Sequence, residues 1–118
     1  MIIGLDFDGT CVTHEYPRIG RDIGAIPVLK ELVDNGHQLI LFTMRSGDSL
    51  DEAVDWLTER GVTLYSVNSN PTQHSWTSSP KVYAKLYIDD AALGAPLTHP
   101  EDGGRPYIDW VRVSAMIG

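Results

Sequence analysis

Two groups of acids stand where chemistry can begin. Asp6-Phe7-Asp8-Gly9-Thr10 follows the apolar run Ile2-Ile3-Gly4-Leu5, and Asp89-Asp90 follows Leu86-Tyr87-Ile88. In an extended segment, residues two apart point to the same side, so Asp6 and Asp8 face one way. Crowded carboxylates repel, and one takes up a proton unless a cation sits between them. A hard divalent ion such as Mg²⁺ meets that need with oxygen ligands, and Asp89 can complete the set from a separate strand. An Asp pair after a strand also serves turns and helix caps with no ligand at all. Gly9 lets the backbone turn sharply and approach a ligand closely, and Thr10 adds a hydroxyl.

The elements that must position these residues can be read from hydrophobic spacing. Ile2 to Leu5 reads as a buried strand, and Cys11 to Gly24 as an irregular flap without period. Ala25, Val28, Leu29 and Leu32 recur at helical spacing, with Asn35-Gly36 as the stop. Leu39 to Phe42 is a second apolar strand ending at Thr43. Ser49 and Glu52 stand at capping-box spacing, ahead of a helical stripe of Leu50, Ala53, Val54 and Leu57 that ends at Gly61. Leu64 to Val67 is a weaker third strand, Asn68 to Pro80 a polar loop, and Leu86 to Ile88 a fourth strand. Leu93 to Arg105 reads as loop, and Pro106 opens a last helix with Ile108, Val111 and Ala115 on its inner face.

Strands that are apolar throughout and alternate with helices predict an α/β doubly wound, Rossmann-like parallel sheet sandwiched by helices. Ligands in such folds sit at the carboxyl ends of the strands. Asp6, Asp8, Thr10, Thr43, Asp89 and Asp90 all fall there. Arg45, two residues past Thr43, belongs to the same rim. It either holds a substrate phosphate or carboxylate bidentately or is a solvated loop charge. Asn68 and Asn70 either hydrogen-bond substrate or serve Asn-rich turns. His14 and Arg18 lie in the flap. Trp56, Trp76 and Trp110 read as packing residues, and Cys11 as an inert small apolar one.

Composition bounds the remaining possibilities. At 118 residues the chain holds a single domain, 1–118, and its net charge of −7 disfavours nucleic acid and anionic lipid as partners. One Cys excludes a disulfide framework and any Cys-rich zinc site. No apolar run approaches the ~20 residues of a membrane span. Met1 leads directly into the first strand with no basic n-region, so a cytoplasmic protein is expected.

The chain resembles the haloacid dehalogenase superfamily of hydrolases. An apolar strand followed by Asp-x-Asp-Gly-Thr at Asp6 to Thr10 is similar to the family's first motif. The strand ending at Thr43 is similar to its second, Lys81 or Lys85 to the lysine of its third, and Tyr87-Ile88-Asp89-Asp90 to its fourth. The resemblance implies a phosphatase in which Asp6 is the nucleophile and Asp8 the general acid and base. Thr43 and a lysine, Lys81 in preference to Lys85, would bind phosphate oxygens, with Gly9, Thr10, Arg45 and Asn68 near the substrate. Mg²⁺ would be held by Asp6, the main-chain carbonyl of Asp8, and Asp89, with Asp90 a direct or indirect partner.

The intervals between the motifs are too short for a cap domain, so the resemblance is to capless members. These act on a phosphorylated small molecule with a neighbouring copy as lid, or on macromolecules through an open site. Two other classes compete: a phospho-receiver signalling domain, and a degenerate phosphate-binding module. A receiver carries an adjacent acid pair after strand one and its phosphorylated Asp after strand three, whereas here strand three ends in Val67-Asn68. A binding module has no use for the acid–base Asp8.

Overall fold

The computed structural model describes residues 1–117. Four parallel strands form its sheet: β1 (Ile2–Leu5), β2 (Gln38–Leu41), β3 (Ser66–Val67) and β4 (Leu86–Ile88), in spatial order β3-β2-β1-β4. Helices α1 (Ala25–Asp34) and α2 (Gly47–Glu59) make the first two crossovers, and α3 (Trp110–Ile117) packs against α1. Among the described residues this is a Rossmann-like α/β fold, a parallel sheet flanked by helices without a cap domain.

Alternation along the strands sorts the residues by face. Ile3, Leu5, Leu39, Leu41 and Ile88 join the core formed with Ala25, Leu29 and Leu32 of α1, Ala53, Trp56 and Leu57 of α2, and Trp110 and Val113 of α3. Gly4, Ile40 and Tyr87 lie on the other side. The chain returning from β3 to β4 packs there, with a 3-10 turn at Gln73–Ser75. The Tyr87 hydroxyl donates to the Val82 carbonyl and accepts from the Ala84 amide at 3.2 Å. A Cβ on Gly4 would stand 2.7 Å from Cδ1 of that ring, so glycine makes room for the tyrosine.

Four local expectations need correction. Helix α2 begins earlier than the Ser49–Glu52 spacing predicts, with Ser46 in extended conformation at its N-cap, and Ser49 Oγ donates back to the Ser46 carbonyl at 2.8 Å. The stretch expected as loop contains β5 (Leu97–Thr98), paired antiparallel with β6 (Tyr107–Ile108). Helix α3 therefore starts at Trp110 rather than Pro106, and its inner residues are Trp110 and Val113, with Val111 83% exposed. The third strand is shorter than Leu64 to Val67, spanning Ser66–Val67. Among the described residues, no helix is long and apolar enough to cross a membrane.

Candidate metal centre

Strand register builds the site. Leu5 pairs with Leu41 on one side and with Ile88 on the other, and Leu41 pairs with Val67. The next residue of each strand, namely Asp6, Phe42, Asn68 and Asp89, therefore falls in one row at the carboxyl end of the sheet. Backbone bonds extend the ladder into that row: Asp6 N to Ile88 O at 3.0 Å, Phe42 N to Leu5 O at 2.8 Å, and Asn68 N to Leu41 O at 2.7 Å.

Past Asp6 the chain folds into a tight loop in which the amides of Thr10 and Cys11 both donate to the Phe7 carbonyl. This turn inserts Thr10 between two acids. Its hydroxyl donates to Asp6 Oδ2 at 2.8 Å, lies 3.3 Å from Asp90 Oδ1, and accepts from the Asp90 amide at 3.1 Å. Carboxylate oxygens of Asp6, Asp89 and Asp90 all come within 4.8 Å of one another. Burial pushes the Asp6 carboxyl up to about 8, and the charges of Asp89 and Asp90 push the same way, against the Thr10 hydrogen bond. Such a half-buried set of hard oxygen donors, with one forced to keep its proton, fits a small divalent cation, whose charge would reverse the repulsion.

The loop is held from several sides. Gly9 has φ +80°, and a Cβ there would lie 2.0 Å from His14 Nε2 and 2.5 Å from Asp90 Oδ2. The space above Gly9 is thus filled by the flap residue His14, whose Nε2 meets Asp90 Oδ2 at 2.8 Å. The Trp110 indole N–H donates to the Thr10 carbonyl at 2.7 Å, and the Ile108 amide to the Gly9 carbonyl at 3.0 Å. Burial, reinforced by nearby acids, keeps the Cys11 thiol protonated well above its ordinary range.

The remaining expected residues divide. Thr43 caps the row after β2. Its amide donates to Asn68 Oδ1 at 2.8 Å, and its hydroxyl accepts from the Arg45 amide at 3.2 Å, leaving the hydroxyl proton free to donate outward. Asn68, expected at the substrate, thus orients Thr43, and does so from a left-handed φ of 53°. Asn70 is buried and bonded to Thr72 and Tyr83, so its role is local structure. Thr10, also expected at the substrate, is fully buried and belongs to the acid cluster. Lys81 is exposed, its Nζ 5.6 Å from the centroid of Tyr87, two residues before Asp89. The Lys85 amide bonds Ile2 O, which puts this residue at the amino end of β4, away from the acids.

Arg45 departs most from expectation. It is 2% exposed, and both Asp8 oxygens receive bonds from it at 2.8 Å. It is unavailable to a substrate, and no signal local to residue 45 points to residue 8. His14 and Trp110 were legible only as a flap histidine and a packing aromatic.

No family model matches the chain, and no curated protein does. Among solved structures, that of a conserved protein from Bacteroides thetaiotaomicron is 41% identical with a TM-score of 0.81, over 99% of this chain and 88% of that one. The chain belongs to the same family as that conserved protein.

Proposed function

We propose that this protein is a magnesium-dependent phosphomonoesterase of the haloacid dehalogenase type, acting in the cytoplasm on a phosphorylated small molecule. The observation that carries this reading is the convergence of Asp6, Asp89 and Asp90 with Thr43 at one end of the sheet. Asp6, Asp89 and Asp90, with the Asp8 carbonyl, would hold the Mg²⁺, which when bound offsets the charge between an anionic nucleophile and an anionic phosphate.

The chain's own residues then have separable tasks. Asp6 attacks phosphorus through a carboxylate oxygen, and the leaving oxygen departs with a proton from Asp8. Water next attacks the aspartyl-phosphate, Asp8 takes its proton, and phosphate leaves. Thr10 keeps the Asp6 carboxylate turned toward the row by donating to its Oδ2. The outward hydroxyl proton of Thr43 and the Lys81 ammonium supply donors for phosphate oxygens. With no cap domain, the rim is closed by the flap or by a neighbouring copy of the chain.

The test is phosphate release from a panel of phosphate esters with Mg²⁺ present. Asp6→Asn keeps the shape and removes the nucleophile, so turnover should fall by about 10³-fold or more. An Asp6→Asn protein as active as the wild type rules the reading out.

A further inference from the structure

We infer that Arg45 is a positioning residue that fixes Asp8 and the flap as one unit and so sets how Asp8 meets the leaving group. The inference rests on the phosphomonoesterase reading. A guanidinium has five N–H donors, and Arg45 spends all of them. Nε and Nη2 each donate to one oxygen of Asp8 at 2.8 Å. Nη2 also donates to the Arg18 carbonyl at 2.8 Å, and Nη1 to the carbonyls of Pro17 and Ser49, both at 3.1 Å. The rings of Phe7 and Tyr16 lie 5.1 and 5.2 Å from its central carbon.

These acceptors belong to three separate pieces of chain: the loop after β1, the flap, and the first turn of α2. One buried side chain therefore couples the flap's position to Asp8. The planar fork matters, because a lysine ammonium is a point charge and cannot hold both carboxylate oxygens in one plane. A carboxylate has about four lone-pair positions. Arg45 occupies one on each oxygen, and the others are left for the ester oxygen or water to approach. In the first step a proton passes from Asp8 to the ester oxygen as the P–O bond breaks and the Asp6–P bond forms. In the second step the oxygen of water bonds phosphorus, its proton returns to Asp8, and the Asp6–P bond breaks.

Leaving groups separate positioning from mere structure. A nitrophenyl phosphate departs with little need of an acid, whereas a primary alkyl phosphate depends on one. Arg45→Lys should lower kcat for the alkyl ester about tenfold more than for the nitrophenyl ester, with KM little changed. Equal loss on both esters overturns the inference and leaves the phosphatase reading intact. A wild-type protein that cleaves neither ester overturns that reading, and the inference with it. A second measurement does not require Arg45→Lys to fold. In Asp8→Asn, hydrogen exchange at the Arg18 amide, bonded to Glu15 O at 2.9 Å, should quicken as the flap loosens. Unchanged protection there would show that Asp8 and the flap are not coupled.

Discussion

Thr10 acts on two acids with one hydroxyl. It donates to Asp6 Oδ2 and accepts from the Asp90 amide, so a single oxygen sets the spacing of two acidic segments that lie far apart in the chain. Its hydrogen bond also lowers the Asp6 carboxyl against the upward push of burial. Thr10→Val preserves the shape and removes both bonds, leaving the half-buried Asp90 amide without its acceptor. It should cost about 1–3 kcal/mol in chemical unfolding. Thr10→Ser restores the hydroxyl and should recover most of that loss. Activity should follow the same order, because the valine variant frees the Asp6 carboxylate to rotate and raises its proton affinity. A valine variant as stable as wild type would mean that Thr10 contributes only its volume.

At the scale of elements, the loop after β1 depends on the far end of the chain. The hairpin β5–β6 delivers the Ile108 amide to Gly9, and α3 delivers the Trp110 indole to Thr10. Trp110→Phe keeps most of the apolar contact and removes the N–H, so it should destabilise by about 1–3 kcal/mol and reduce turnover with it. Differential scanning calorimetry and steady-state assays on one preparation would check both. This buttress was not legible in the sequence, and the reason is physical. Two-residue strands are too short to display alternation, and Pro106 offers the same fixed φ to an extended segment as to a helix start. The main sheet was legible because each apolar run ends abruptly in a polar residue, which fixes both the strand and its carboxyl end. Asp6, Thr43, Asn68 and Asp89 could therefore be placed at one rim. The inward turn of Arg45 could not, since its partners Asp8, Pro17 and Arg18 meet it only after the flap has folded back.

For the whole molecule, the net charge of −7 is unevenly spent, because three of its acids are gathered at one point. The linkage between pH, cation and stability follows. Asp6 rises from 3.8 to about 8 in the fold, so the folded state holds a proton that the unfolded chain has released. This contribution is fully present below the unfolded value, declines as pH climbs, and is lost once pH passes the folded value. Without a divalent cation, wild-type stability should therefore fall between about pH 4 and about pH 8 relative to Asp6→Asn, which has no proton to lose. Mg²⁺ requires the ionised carboxylate, so it competes with that proton. The rise in Tm on adding Mg²⁺ should be larger at about pH 8.5 than at about pH 5.5, and small at both in Asp6→Asn. Thermal melts of the two proteins, with Mg²⁺ and with a chelator, measure each quantity. An equal Mg²⁺ shift in both proteins at both pH values would place cation binding elsewhere on the acidic surface and remove Asp6 from the site.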